Sequence, residues 1–232
     1  MKRNLLILVG VATLASAPVM AQSTTNSIFI DQVGDSSVIT VTQKGQGNTI
    51  GTEQNRVVLQ GNSQTITTTQ EGNNNSIQGS IVQADNVDMT VTVTGDSNEL
   101  IYDQGDAASV AGSTKTLTVT GDSNNLTFNQ GTAASATGAT QTIAITGDTN
   151  TYTSTINADD VVNTMTVAGD GNTVTMVQDG TAGKNVEMLL TGSTNNITVN
   201  QKSTTNVDTI KINSTSTGST MLINQCNAGG PC

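Results

Sequence analysis

Apolar and polar residues alternate along this chain in short runs, and the runs recur. Asn98-Glu99-Leu100-Ile101-Tyr102-Asp103-Gln104 places Asn, Leu, Tyr and Gln at alternate positions. Side chains alternate across a strand with a period of two, so these four share one face. The pattern Asn-x-apolar-x-apolar-x-Gln returns at Asn26 to Gln32, Asn48 to Gln54, Asn124 to Gln130, Asn172 to Gln178 and Asn195 to Gln201. Two copies are degenerate: Asn75 to Gln83 is two residues longer, and the copy from Asn150 holds Ile156 in place of Gln. A weakened copy with Ser219, Met221, Ile223 and Gln225 closes the series. Successive starts lie 22 to 27 residues apart, a spacing that signals a repeat architecture.

A second strand precedes most copies. Its inward positions carry Ile39 and Val41, then Met89, Val91 and Val93, Leu117 and Val119, Ile143 and Ile145, and Met165 and Val167. Its other face is largely threonine, as in Thr90-Val91-Thr92-Val93-Thr94 and Thr116-Leu117-Thr118-Val119-Thr120. Such alternation with β-branched residues predicts half-buried strands. Gly95-Asp96-Ser97, Gly121-Asp122-Ser123 and Gly147-Asp148-Thr149 supply the tight turns between strands. Each unit is therefore strand, turn, strand, loop, and neither strand can bury its apolar stripe alone. Stacking the units at ~4.8 Å per rung gives an all-β solenoid of about eight to nine repeats, a rod of roughly 40 Å. Within it Asn and Gln one rung apart are positioned for amide ladders.

Composition narrows the functional classes. Lys2 and Arg3, the apolar run from Leu5 to Leu14 and the small-x-small end at Val19-Met20-Ala21 predict a signal peptide over residues 1–21. A short segment, 22–25, precedes the repeats at 26–225, and a Cys-bounded tail occupies 226–232. Removal of Lys2 and Arg3 takes the formal charge from −10 to −12, which opposes nucleic-acid binding. The chain has no His, and its cysteines lie in the tail, so the usual catalytic and metal-binding sets are absent and no enzyme or cofactor is expected. Cys226 and Cys232 can close a small disulfide loop in an oxidising compartment. Asp96, Asp122, Asp148 and Asp170 read as turn formers rather than calcium ligands. The stacked Thr-x-Thr rows offer a different use, a flat lattice that binds ice or another surface. Glu187, Leu189 and Lys211 interrupt those rows in the last coils.

The units resemble the curlin repeat, Ser-x5-Gln-x-Gly-x-x-Asn-x5-Gln, of the extracellular amyloid fibres of bacterial biofilms. Ser37 through Gln43, Gly45 and Asn48 to Gln54 match it closely, and Gln64 through Gln70, Gly72 and Asn75 match it loosely. The resemblance runs from Asn26 to Gln225, although Val93, Val119, Ile145, Val167 and Leu190 replace the first-strand Gln in later copies. It implies a secreted subunit that adds end to end to copies of itself, helped by a nucleator subunit and an outer-membrane export pore. It also adds Gln43 and Gln70 to the ladder residues.

Overall fold

The computed structural model of the protein describes residues 20–21, 26–35, 38–105, 110–131, 136–180, 183–203 and 207–226. Among these every regular element is a β-strand, and the strands pair in parallel one repeat apart. Two stacks result. In the first, Ser27, Thr49, Ser76, Glu99, Asn125, Thr151, Thr173, Asn196 and Thr220 follow one another in register. In the second, Val38, Thr65, Asp88, Thr114, Thr140, Val162, Asn185 and Thr209 do the same. The protein is a β-solenoid of about 8 turns.

Alternation fixes which side chains enter the space between the stacks. Leu100, Leu126, Val174 and Ile197 of the first sheet are buried with Val91, Leu117, Ile143, Met165 and Met188 of the second. Phe128 and Tyr152 pack with ring centroids 5.0 Å apart at 52°, within the range of favourable tilted pairs. A smaller apolar cluster, Ala136, Ala139, Ile156, Ala158 and Val161, fills one corner. The interior is thus built of rungs that each continue the one below, which is why repeats of unequal length still stack: the extra residues leave through loops.

The tight-turn corner is shaped by backbone contact. A methyl group added at Gly121 would fall on the carbonyl oxygen of Gly147, and one at Gly192 on that of Ser216. Glycine therefore recurs there because the next coil occupies the space, and not only for its turn geometry. Residues just before the repeat Asn adopt positive φ, including Ser97 at 58°, Ser123 at 57° and Thr149 at 56°.

At the amino-terminal end, Met20–Ala21 pairs with Thr42–Gln43. The rest of the expected signal peptide, the segment 22–25 and the tail after Cys226 lie outside the described residues. No helix among the described residues is long and apolar enough to cross a membrane.

Candidate assembly interface

The most regular polar feature is a buried asparagine column. Asn26, Asn48, Asn75, Asn98, Asn124, Asn150, Asn172 and Asn195 occupy one position on successive coils, each at most 8% exposed. The backbone N–H of every member from Asn48 to Asn195 donates to the Oδ1 of the Asn one coil earlier at 2.9–3.0 Å. Ser219 continues the series, its N–H donating to Asn195 Oδ1 at 2.9 Å. From Asn75 onward the Nδ2 group also donates to that same Oδ1 at 2.9–3.1 Å. The amide then reaches forward as well: Asn48 Nδ2 donates to Gly72 O at 2.8 Å and Asn98 Nδ2 to Gly121 O at 2.8 Å. One side chain thus ties three coils and satisfies the turn backbone, which a buried polar group must do to be tolerated. Asn150 belongs to the column although its copy lacks the closing Gln.

The glutamines are less continuous than the pattern suggests. Gln178 Nε2 donates to Gln201 Oε1 at 2.9 Å, and Gln201 Nε2 to Gln225 Oε1 at 3.2 Å. Gln104 and Gln130 stand one rung apart in register. Leu59 and Ile81 hold the equivalent positions in earlier coils, paired with Gln32 and Gln104 respectively, and Ile156 separates Gln130 from Gln178. The expected placement of Gln54 is corrected: it lies exposed in the turn between Ile50 and Val57. Gln83 is likewise displaced from the column by Ile81, and its side chain lies outside the described residues. On the opposite sheet Gln43 Nε2 donates to Gln70 Oε1 at 2.7 Å. Gln43 Oε1, also buried, is left without a hydrogen-bond partner.

Several interior polar residues escaped the pattern. Asn163 and Gln178 exchange a reciprocal pair of amide bonds between the sheets, at 2.8 and 2.9 Å. Lys184 Nζ donates to Ser203 O at 3.0 Å and lies 3.5 Å from Asp208 Oδ2. Lys115, 6% exposed, donates to Gln104 Oε1 at 2.7 Å. Burial pushes its amine down to about 7, with the charge of Asp103 pulling the other way. Burial raises the phenols of Tyr102 and Tyr152, Asp103 adding to the effect on Tyr102. Parity was the available signal: Lys115 shares a face with Leu117 and Val119.

Two surface features complete the geometry. The turn carboxylates accept bonds from the preceding coil, Asp96 N–H donating to Asp122 Oδ1 at 2.7 Å and Asp122 N–H to Asp148 Oδ1 at 2.8 Å. Their stacking is held by backbone donors. The second sheet turns Thr40, Thr67, Thr90, Thr116, Thr142 and Thr164 outward in one column. Glu187 and Lys211 then end the column as an ion pair at 2.6 Å. Cys226 is disulfide-bonded, and Cys232 lies outside the described residues.

Comparison with protein-family models, with curated proteins and with solved structures returned no match.

Proposed function

We propose that the chain is a secreted, non-enzymatic, curlin-like subunit that stacks end to end into extracellular amyloid-type fibres for biofilm matrix and adhesion. The observation that carries this reading is the asparagine column meeting open coils at both ends. Among the described residues Glu99–Gln104, Asn125–Gln130, Thr151–Ala158, Thr173–Gly180 and Asn196–Lys202 pair with a strand on each side, whereas Ser27–Ile28 and Thr220–Cys226 pair on one, which leaves backbone groups for a partner at each end. Ile28, Ile30 and Ile39 at one end, and Met221 and Ile223 at the other, are only partly buried. The first coil's Asn26, Ile28, Ile30 and Gln32 also repeat the spacing of Ser219, Met221, Ile223 and Gln225 in the last. Incubating the processed chain and following it by electron microscopy with an amyloid dye tests the proposal. Unbranched dye-positive fibres are expected; a chain that stays monomeric and dye-negative over prolonged incubation overturns it.

The outward threonine column from Thr40 to Thr164 favours a second reading, in which a monomeric solenoid binds ice or another ordered surface. Thermal hysteresis of the monomer, abolished by Thr116→Lys, would support that reading, and its absence would remove it.

A further inference from the structure

The second sheet does not begin at its first full strand. Val38–Gln43 pairs on one side with the Thr65 to Gln70 part of the next coil. On its other side lies Met20–Ala21, where Met20 meets Thr42 and Ala21 meets Gln43. This two-residue strand is parallel and in register, as the internal rungs are. Its spacing to the next element also matches: Asn26 follows Ala21 by five positions, as Asn48 follows Gln43. Met20–Ala21 is therefore the stub of one more coil, laid on the amino-terminal edge of the second sheet. The first sheet has no such cover among the described residues, since Ser27–Ile28 and Ile30–Val33 pair on one side only.

The stub meets the edge through its backbone but does not continue the amide ladder. Gln43 Nε2 donates to Gln70 Oε1 one coil later at 2.7 Å. Gln43 is 1% exposed, yet its Oε1 has no hydrogen-bond partner. Continued by one coil, the ladder would supply that oxygen with an amide from the position of Ala21, and alanine has none to give.

We propose that Met20–Ala21 is an autoinhibitory strand, covering the edge at Thr42–Gln43 against a second copy of this chain until the signal peptide is cut away. This rests on the end-to-end reading given above and on cleavage after Ala21. An edge strand pairs with one neighbour at a time, so an incoming copy has to displace the stub. Hydrolysis of the Ala21–Gln22 bond consumes one water and leaves a carboxylate on Ala21 and an amine on Gln22. It removes both residues of the stub and none of Val38–Gln43. One cleavage thus completes export and opens the edge, which holds the chain apart from its copies while it is still unprocessed.

Three proteins test this: residues 22–232, residues 18–232, and residues 18–232 carrying Met20→Pro. The longer pair keeps every described residue and leaves off the apolar run from Leu5 to Leu14, which would associate by itself. Proline keeps the length but cannot donate to a ladder. Dye binding and sedimentation give the concentration needed for assembly, and hydrogen exchange of the monomers reports on Val38–Gln43. Residues 18–232 should need about threefold to tenfold more protein than 22–232, the range one net hydrogen bond carries, and should exchange more slowly at this edge. Met20→Pro should return both readings to those of 22–232. Fibres at equal concentrations from all three overturn the inhibition and leave the end-to-end reading standing, whatever the exchange. A proline variant that still behaves as 18–232 assigns the effect to chain length and overturns the strand. No fibres from 22–232 overturns the end-to-end reading and the inhibition with it.

Discussion

Lys115 gives the most demanding check on the interior. Its amine is buried between the sheets against Gln104 and is held down to about 7 by desolvation. The ordinary value for a lysine is 10.5, so burial costs the charged amine roughly 5 kcal/mol at 1.36 kcal/mol per pH unit. The unfolded chain keeps its proton up to about 10.4, whereas the folded chain gives it up above about 7. Between these limits the unfolded state binds more protons, so stability rises with pH by up to ~1.4 kcal/mol per unit. Below about 7 both states are protonated, and the penalty is constant at its full size.

Lys115→Met removes the titrating group while keeping an unbranched chain, and Met89 already occupies the same position one coil earlier. It leaves Gln104 Oε1 without its donor, which costs about 1–3 kcal/mol. The variant should therefore be more stable than wild type by roughly 2–4 kcal/mol at pH 7. That advantage should shrink steadily toward pH 10. Urea midpoints of both proteins across this range, with hydrogen exchange in strand Thr114–Thr118 to localise the effect, make the measurement. Exchange is needed because long repeat arrays need not unfold in one step. A wild-type-minus-variant difference that does not change with pH would refute the argument, since it would mean that Lys115 titrates alike in both states.

The remaining expectations concern single rungs. Asn124→Ala takes the shared acceptor from the Asn150 N–H and Nδ2 and removes one of the donors to Asn98 Oδ1, and should lower stability by about 2–5 kcal/mol in urea unfolding, at 1–3 kcal/mol per unmet group. Gln178→Leu strips partners from Asn163 and Gln201 and should cost about 2 kcal/mol or more, while Gln54→Leu on its exposed turn should stay within about 0.5 kcal/mol. Thr149→Gly relieves a β-branched residue at a φ of 56° and should raise the urea midpoint by about 1 kcal/mol equivalent; a loss instead would show that the threonine side chain holds the turn.

The asparagine column was legible because the turn fixes it. The asparagine follows the glycine by three positions in every coil from Gly45-Asn48 to Gly192-Asn195, so no insertion moves one against the other. The glutamines lie at the far end of each strand, where loops and a register shift between Leu59 and Gly61 intervene. Counting six residues from Asn48 therefore reached Gln54, although the chain leaves the stack there and returns at Val57. The degenerate copy at Asn75 showed the same weakness: its strand runs on from Ser76 to Thr92, and pairing with Gln104 selects Ile81 instead of Gln83. Lys115 and Lys184 were missed for another reason. Charge suggested the exterior, yet strand parity places both inward, and parity prevailed because one slip would have turned every neighbouring apolar residue outward.

The solenoid separates folding from assembly more sharply than a fibre of short peptides can. In a peptide fibre every rung is a contact between molecules, so one substitution alters both the unit and the polymer. Here the asparagine column closes its rungs within one chain, from Asn26 to Ser219, and the proposed fibre would add a single new rung per molecule. Changes at Asn98 or Asn124 should consequently move the unfolding midpoint and leave the affinity of preformed solenoids for one another nearly untouched. Changes at Asn26 or Ser219 should do the reverse.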